Sequence, residues 1–101
     1  MHQRGSGYEQ QIEAGKAIVK EMLARLAVEL NRPKIQEFVF KVTDQDVDRK
    51  QISIFDPERQ RVVTKLEEGE LADCPTTPAI SSKVKARLAA AIRSYYKPTG
   101  R

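Results

Sequence analysis

The chain has little of what most catalytic and metal sites are built from. Of its 101 residues one is cysteine, Cys74, and one is histidine, His2. An internal disulfide is therefore excluded, and so is a Cys/His set for structural zinc. Five glycines are present and none falls in a phosphate-loop spacing, so no Gly-rich cradle is expected. Tryptophan is absent and aromatics make up 6% of the chain, which leaves a modest, mainly aliphatic core to be built. No run approaches the roughly 20 apolar residues that span a bilayer, and no apolar stretch follows Met1-His2-Gln3-Arg4-Gly5 to act as a signal peptide. The expectation is a cytoplasmic protein with no membrane partner.

Catalysis has few candidates. His2 lies in a terminus expected to be mobile, the wrong place for a base that must be held within about 3 Å of its proton. Cys74, beside Pro75, has no histidine to activate it and reads as a small, half-buried hydrophobe. Glu67, Glu68, Glu70 and Asp73 form a dense acidic run of the kind found on solvated faces and at helix starts. No catalytic residue, cofactor or metal is expected, and the chain reads as a non-enzymatic binding module.

What is present is periodicity and an uneven charge. From about Tyr8 to Leu30, Ile12, Val19, Met22, Leu23, Leu26 and Leu30 recur every three or four residues, with Glu9, Glu13, Lys16, Lys20 and Arg25 between them. This predicts an amphipathic helix ending at Asn31-Arg32-Pro33. Phe38, Phe40 and Val42 then alternate as a strand does, as do Gln51–Phe55, while Arg61–Leu66 is β-branched. Asp56-Pro57-Glu58-Arg59-Gln60 carries a turn signal between the last two runs, predicting an antiparallel hairpin. Ser81 or Ser82 is placed to cap a final helix reaching Tyr95 or Tyr96, before Pro98.

The fold expected is α+β: helix, three-stranded antiparallel meander, helix, with both helices on one face of the sheet. It forms a single domain over 1–101, ordered from about 8 to 96, with 1–7 and 97–101 mobile. Phe38, Phe40, Ile52, Ile54, Val63, Leu26, Leu30, Leu88 and Ile92 are expected to share its core.

The net charge of +4 conceals a basic end: residues 81–101 hold six Lys or Arg and no Asp or Glu, whereas residues 35–80 hold six against ten. On the last helix Val84, Leu88, Ile92 and Tyr95 share one arc. Lys83, Arg87, Arg93 and Lys97 lie opposite, with Ala86, Ala90 and Ser94 between them. Lys83 and Lys85 are placed in its first turn, where free N–H groups and two lysines would converge on a phosphate. The nucleic-acid-binding candidates are Lys83, Lys85, Arg87, Arg93 and Lys97, with Tyr96 free to stack on a base. The competing reading of the same cations is a solvated helix face.

The element order and the lysine-rich start of the last helix are those of the double-stranded RNA-binding domain. The likeness stops at the order. That module has Ser-Lys-Lys-x-Ala-Lys where this chain has Ser82-Lys83-Val84-Lys85-Ala86-Arg87. Its Gly-Pro-x-His loop is here the acidic Asp44-Gln45-Asp46-Val47-Asp48. Asp44, Asp46 and Asp48 hold the first spacings of a calcium loop. Arg49 stands where that loop needs glycine and Phe55 where it needs a bidentate glutamate, so calcium is not expected. The alternative to nucleic acid is a protein-interaction or regulatory subunit. It would dock through the first helix, widened by Ala17, Ile18, Ala27 and Val28, or through an uncovered sheet face. A homodimer formed through a sheet edge or the first helix is the other form of this alternative.

Overall fold

A computed structural model describes residues 3–43 and 51–97. Helix α1 runs Gln3–Glu29, five residues earlier than the apolar periodicity alone indicates, so Gly5-Ser6-Gly7 belongs to it. It ends in a Schellman arrangement: Asn31 takes a left-handed φ of 57°. The Asn31 N–H donates to the Val28 carbonyl at 3.1 Å, and the Arg32 N–H donates to that of Ala27 at 2.8 Å. Pro33 then opens a short 3-10 helix, Pro33–Glu37, which had no signature in the sequence pattern. It drives Ile35 into the core, where it is fully buried.

Strands β1 (Val39–Thr43), β2 (Gln51–Asp56) and β3 (Arg61–Glu67) form one antiparallel sheet in the order β1-β2-β3. The hairpin between β2 and β3 is held by Asp56, whose Oδ1 accepts from the Glu58 N–H at 3.0 Å and the Arg59 N–H at 3.3 Å. Gln60 supplies the left-handed residue, with φ 58°. A register shift between Ile54 and Phe55 marks a bulge beside this turn.

Helix α2, Glu68–Asp73, follows β3 directly and turns the acidic run into a helix start. Helix α3, Pro78–Tyr96, begins a turn before Ser81, with Thr77 as its N-cap and Pro78 in its first turn. The fixed φ of proline suits that position, and this outweighs the serines as a start signal.

The helices cover one sheet face. Ile52, Ile54 and Leu66 from the sheet, Val19, Leu23 and Leu26 from α1, and Val84, Leu88 and Ile92 from α3 form a single buried cluster. Leu30, Phe40 and Val63 pack half-buried against it. Phe38, expected in the first strand, lies just before it and is 1% exposed. Helices α1 and α2 meet backbone to backbone: a Cβ built on Gly15 would lie 1.9 Å from the Leu71 carbonyl oxygen. No other residue type lets the two backbones approach so closely. Among the described residues no helix is long and apolar enough to cross a membrane.

Candidate nucleic-acid interface

The early start of α3 rearranges its cations relative to the sequence reading. With Pro78 in the first turn, Lys83 is the sixth helical residue and Lys85 the eighth. Neither neighbours the free N–H groups of the helix start, so the predicted convergence of lysines and N–H groups on one phosphate is not formed.

The five candidate residues do not share one face of α3. Arg87 faces α2 and is committed there: its Nη1 and Nη2 donate to Glu70 Oε1 and Oε2 at 2.8 and 2.7 Å. Glu70 also accepts from the Glu67 N–H at 3.0 Å, which ties the start of α2 to α3. The hydrogen bonds from Arg87 hold the Glu70 carboxyl below its usual range against the opposing effect of burial. This forked pair fixes the helix–helix geometry and withdraws Arg87 from the exposed set.

On the other flank Lys85 and Arg93 line a groove of about 430 Å³ between α3 and α1, and Arg25 of α1 completes the cationic rim. The apolar part of the lining is Met22 and Leu26 of α1 and Ala86 and Ala89 of α3, whose short side chains leave the groove open. Ser82 supplies a hydroxyl and Glu29 a single carboxylate. Helical spacing explains the lining: Met22, Arg25, Leu26 and Glu29 fall at i, i+3, i+4 and i+7, and Ser82, Lys85, Ala86 and Ala89 repeat that interval. Lys83 and Lys97 are exposed on the outer side of α3, and Lys97 forms its C-cap, where a cation opposes the negative end of the dipole. Arg25 was read from the sequence as part of a solvated face; only the pairing of the two helices shows which side of α1 it occupies.

Tyr96 is not free to stack on a base. The Arg32 guanidinium lies 4.2 Å from its ring centroid and that of Arg59 5.3 Å, and the residue is half-buried. Tyr95 donates its hydroxyl proton to Asp56 Oδ2 at 2.7 Å and meets Phe38 edge-on at 6.1 Å. Burial pushes both phenols up, and the Asp56 carboxylate adds to this. These tyrosines fasten the end of α3 to the β2–β3 turn.

Cys74 is 4% exposed, and burial first, then Glu70 and Asp73, raises its thiol above the ordinary value. Such a thiol is protonated and weakly nucleophilic at neutral pH. Among the described residues no three His, Cys, Asp or Glu side chains converge in a way that would hold a metal ion. Asp44, Asp46 and Asp48 lie outside the described residues.

The sheet face away from the helices carries Val39, Phe55 and Val62 in register across the three strands, with Val39 and Val62 38% and 45% exposed. The Lys41 ammonium sits 4.1 Å from the Phe55 ring centroid. Set against models of protein families, curated proteins and solved structures, the chain has no significant match.

Proposed function

We propose that the protein is a non-enzymatic nucleic-acid-binding module of the cytoplasm. Lys83, Lys85, Arg93 and Lys97 of α3, together with Arg25 of α1, contact phosphates. The observation that carries this reading is the division of the cations. Arg87, Lys16 and Lys34 each meet a carboxylate, at 2.7, 3.3 and 3.2 Å, whereas Arg25, Lys85 and Arg93 have no such partner among the described residues and line one groove together. Cations gathered on adjoining surface repel one another, and a polyanion relieves that repulsion while releasing its own counterions. Contacts of this kind supply affinity and orientation without reading sequence.

Fluorescence anisotropy of labelled oligonucleotides at about 50 and 200 mM salt tests this, because each lost phosphate contact lowers the salt slope by about one. The triple substitution Arg25→Gln, Lys85→Gln, Arg93→Gln should flatten the slope by about three, and Arg87→Gln should leave it unchanged. A parent that binds no oligonucleotide in low salt, or a triple variant with the parental slope, overturns the reading.

The register row Val39–Phe55–Val62 supports a second reading, docking of a protein on the sheet face away from the helices. The face is three strands wide, roughly 14 Å at about 4.8 Å per strand, and is too small by itself for the roughly 800 Å² per partner of a stable dimer. Sedimentation of the parent and of Phe55→Lys separates the two readings: self-association abolished by that substitution favours the sheet face.

A further inference from the structure

We infer that the groove between α1 and α3 seats one unstacked nucleobase, so that the ligand is single-stranded nucleic acid and not a duplex. This rests on the phosphate-contacting reading and deepens it. A surface that met phosphates alone would need only its cations; here they surround an apolar hollow of about 430 Å³. That volume is within the range of small-ligand sites, roughly 300–1,000 Å³.

The apolar lining suits a flat ring. The Met22 thioether is polarisable and favours aromatic contact, and Leu26 and Ala89 add apolar surface. Ala86 is exposed and ends at its Cβ, leaving the α3 side low enough for a ring to enter. Glu29 supplies the chemical discrimination. A carboxylate with no partner among the described residues repels a phosphate placed in the hollow, but it accepts from the exocyclic amino group on the edge of adenine, cytosine or guanine, a group that thymine lacks. Arg25, Lys85 and Arg93 then lie at the rim, where the phosphates on either side of that base would pass. A duplex keeps its bases stacked inside and would have to extrude one at a cost, whereas a single strand offers them directly.

The test compares three probes of equal length: a single strand, the same strand carrying abasic positions, and the duplex. It uses the parent and Ala86→Leu, which fills the hollow without touching a cation and keeps a good helix former on an exposed site. The parent should bind the intact strand about tenfold more tightly than the abasic strand or the duplex. Ala86→Leu should bind all three within about twofold of one another, with the salt slope of the parent. Equal binding of intact and abasic strands by the parent, with a steep salt slope, overturns the base seat and leaves the phosphate reading standing. Binding of none of the probes in low salt overturns both. Circular dichroism of Ala86→Leu confirms that the loss is not one of fold, and Glu29→Gln is a second probe. It should weaken the preference for adenine- or cytosine-containing strands over thymine strands, and an unchanged preference counts against the seat.

Discussion

Helix α1 makes two seams with the helices that follow the sheet, and small residues shape both to opposite ends. Against α2 it places Gly15 so close to the Leu71 carbonyl that a methyl group has no room. Against α3 the small residues are alanines, Ala86 and Ala89, and they widen an open groove. The contrast shows that residue size alone does not set how close two helices come. The glycine seam is shut because backbone meets backbone. The alanine seam holds an open groove that Met22, Leu26 and the long cations line.

The largest effect expected is at the shut seam. Gly15→Ala should cost about 3 kcal/mol despite the better helix propensity of alanine, because the Leu71 carbonyl is backbone and yields only if α2 moves. Chemical denaturation measures this, and a cost below about 0.5 kcal/mol would mean that the seam is looser than described. The control is Gly69→Ala, where an added Cβ meets nothing within 4 Å. It should be neutral or stabilising by about 0.5 kcal/mol.

The forked Arg87–Glu70 pair braces the α2–α3 side, and a double-mutant cycle with Arg87→Gln and Glu70→Gln should give a coupling of about 1 kcal/mol. Its pH dependence has a definite sign. The Glu70 carboxyl is lowered in the folded protein, so its contribution is present above the unfolded value, about 4.3, and disappears as pH falls through the folded one. Thermal melts between about pH 2 and 6 should show the parent losing stability more steeply towards acid than Glu70→Gln. Parallel curves would remove the brace from the account.

At the open seam the expected effects on stability are smallest. Ala86→Leu should change it by less than about 0.5 kcal/mol, since the site is exposed and the hollow has space. Lys83→Gln should bring no gain, because Lys83 is beyond the first turn of α3 and its charge helps to keep Glu70 ionised. A measurable stabilisation by Lys83→Gln would place this residue nearer the positive end of the helix dipole.

The three strands, the two long helices and their shared core were legible in the sequence, because strand and helix periodicities are local and each buried stripe repeats. Phe38, Ile52, Ile54, Leu88 and Ile92 are buried as their spacing predicts. What periodicity misses is partnership over distance. Gly15 looks like an indifferent helix position until Leu71 is set against it, and Glu70 belongs to an acidic run until Arg87 reaches it. Arg25 shares a rim with Lys85 and Arg93 only after the two helices are placed side by side. The start of α3 was misplaced for a local reason: two serines at 81 and 82 outweighed Pro78 in the reading, although proline is the stronger first-turn residue.

The glycine seam also bears on the order in which the molecule is expected to assemble. Gly15 and Leu71 are more than fifty residues apart, while β2 and β3 are joined by a four-residue turn held by Asp56. Loop closure over the shorter span is faster, so the hairpin forms early and α1 waits for α2 to be presented to it. A contact made that late is absent from the rate-limiting step, so Gly15→Ala should hasten unfolding while leaving the folding rate nearly unchanged.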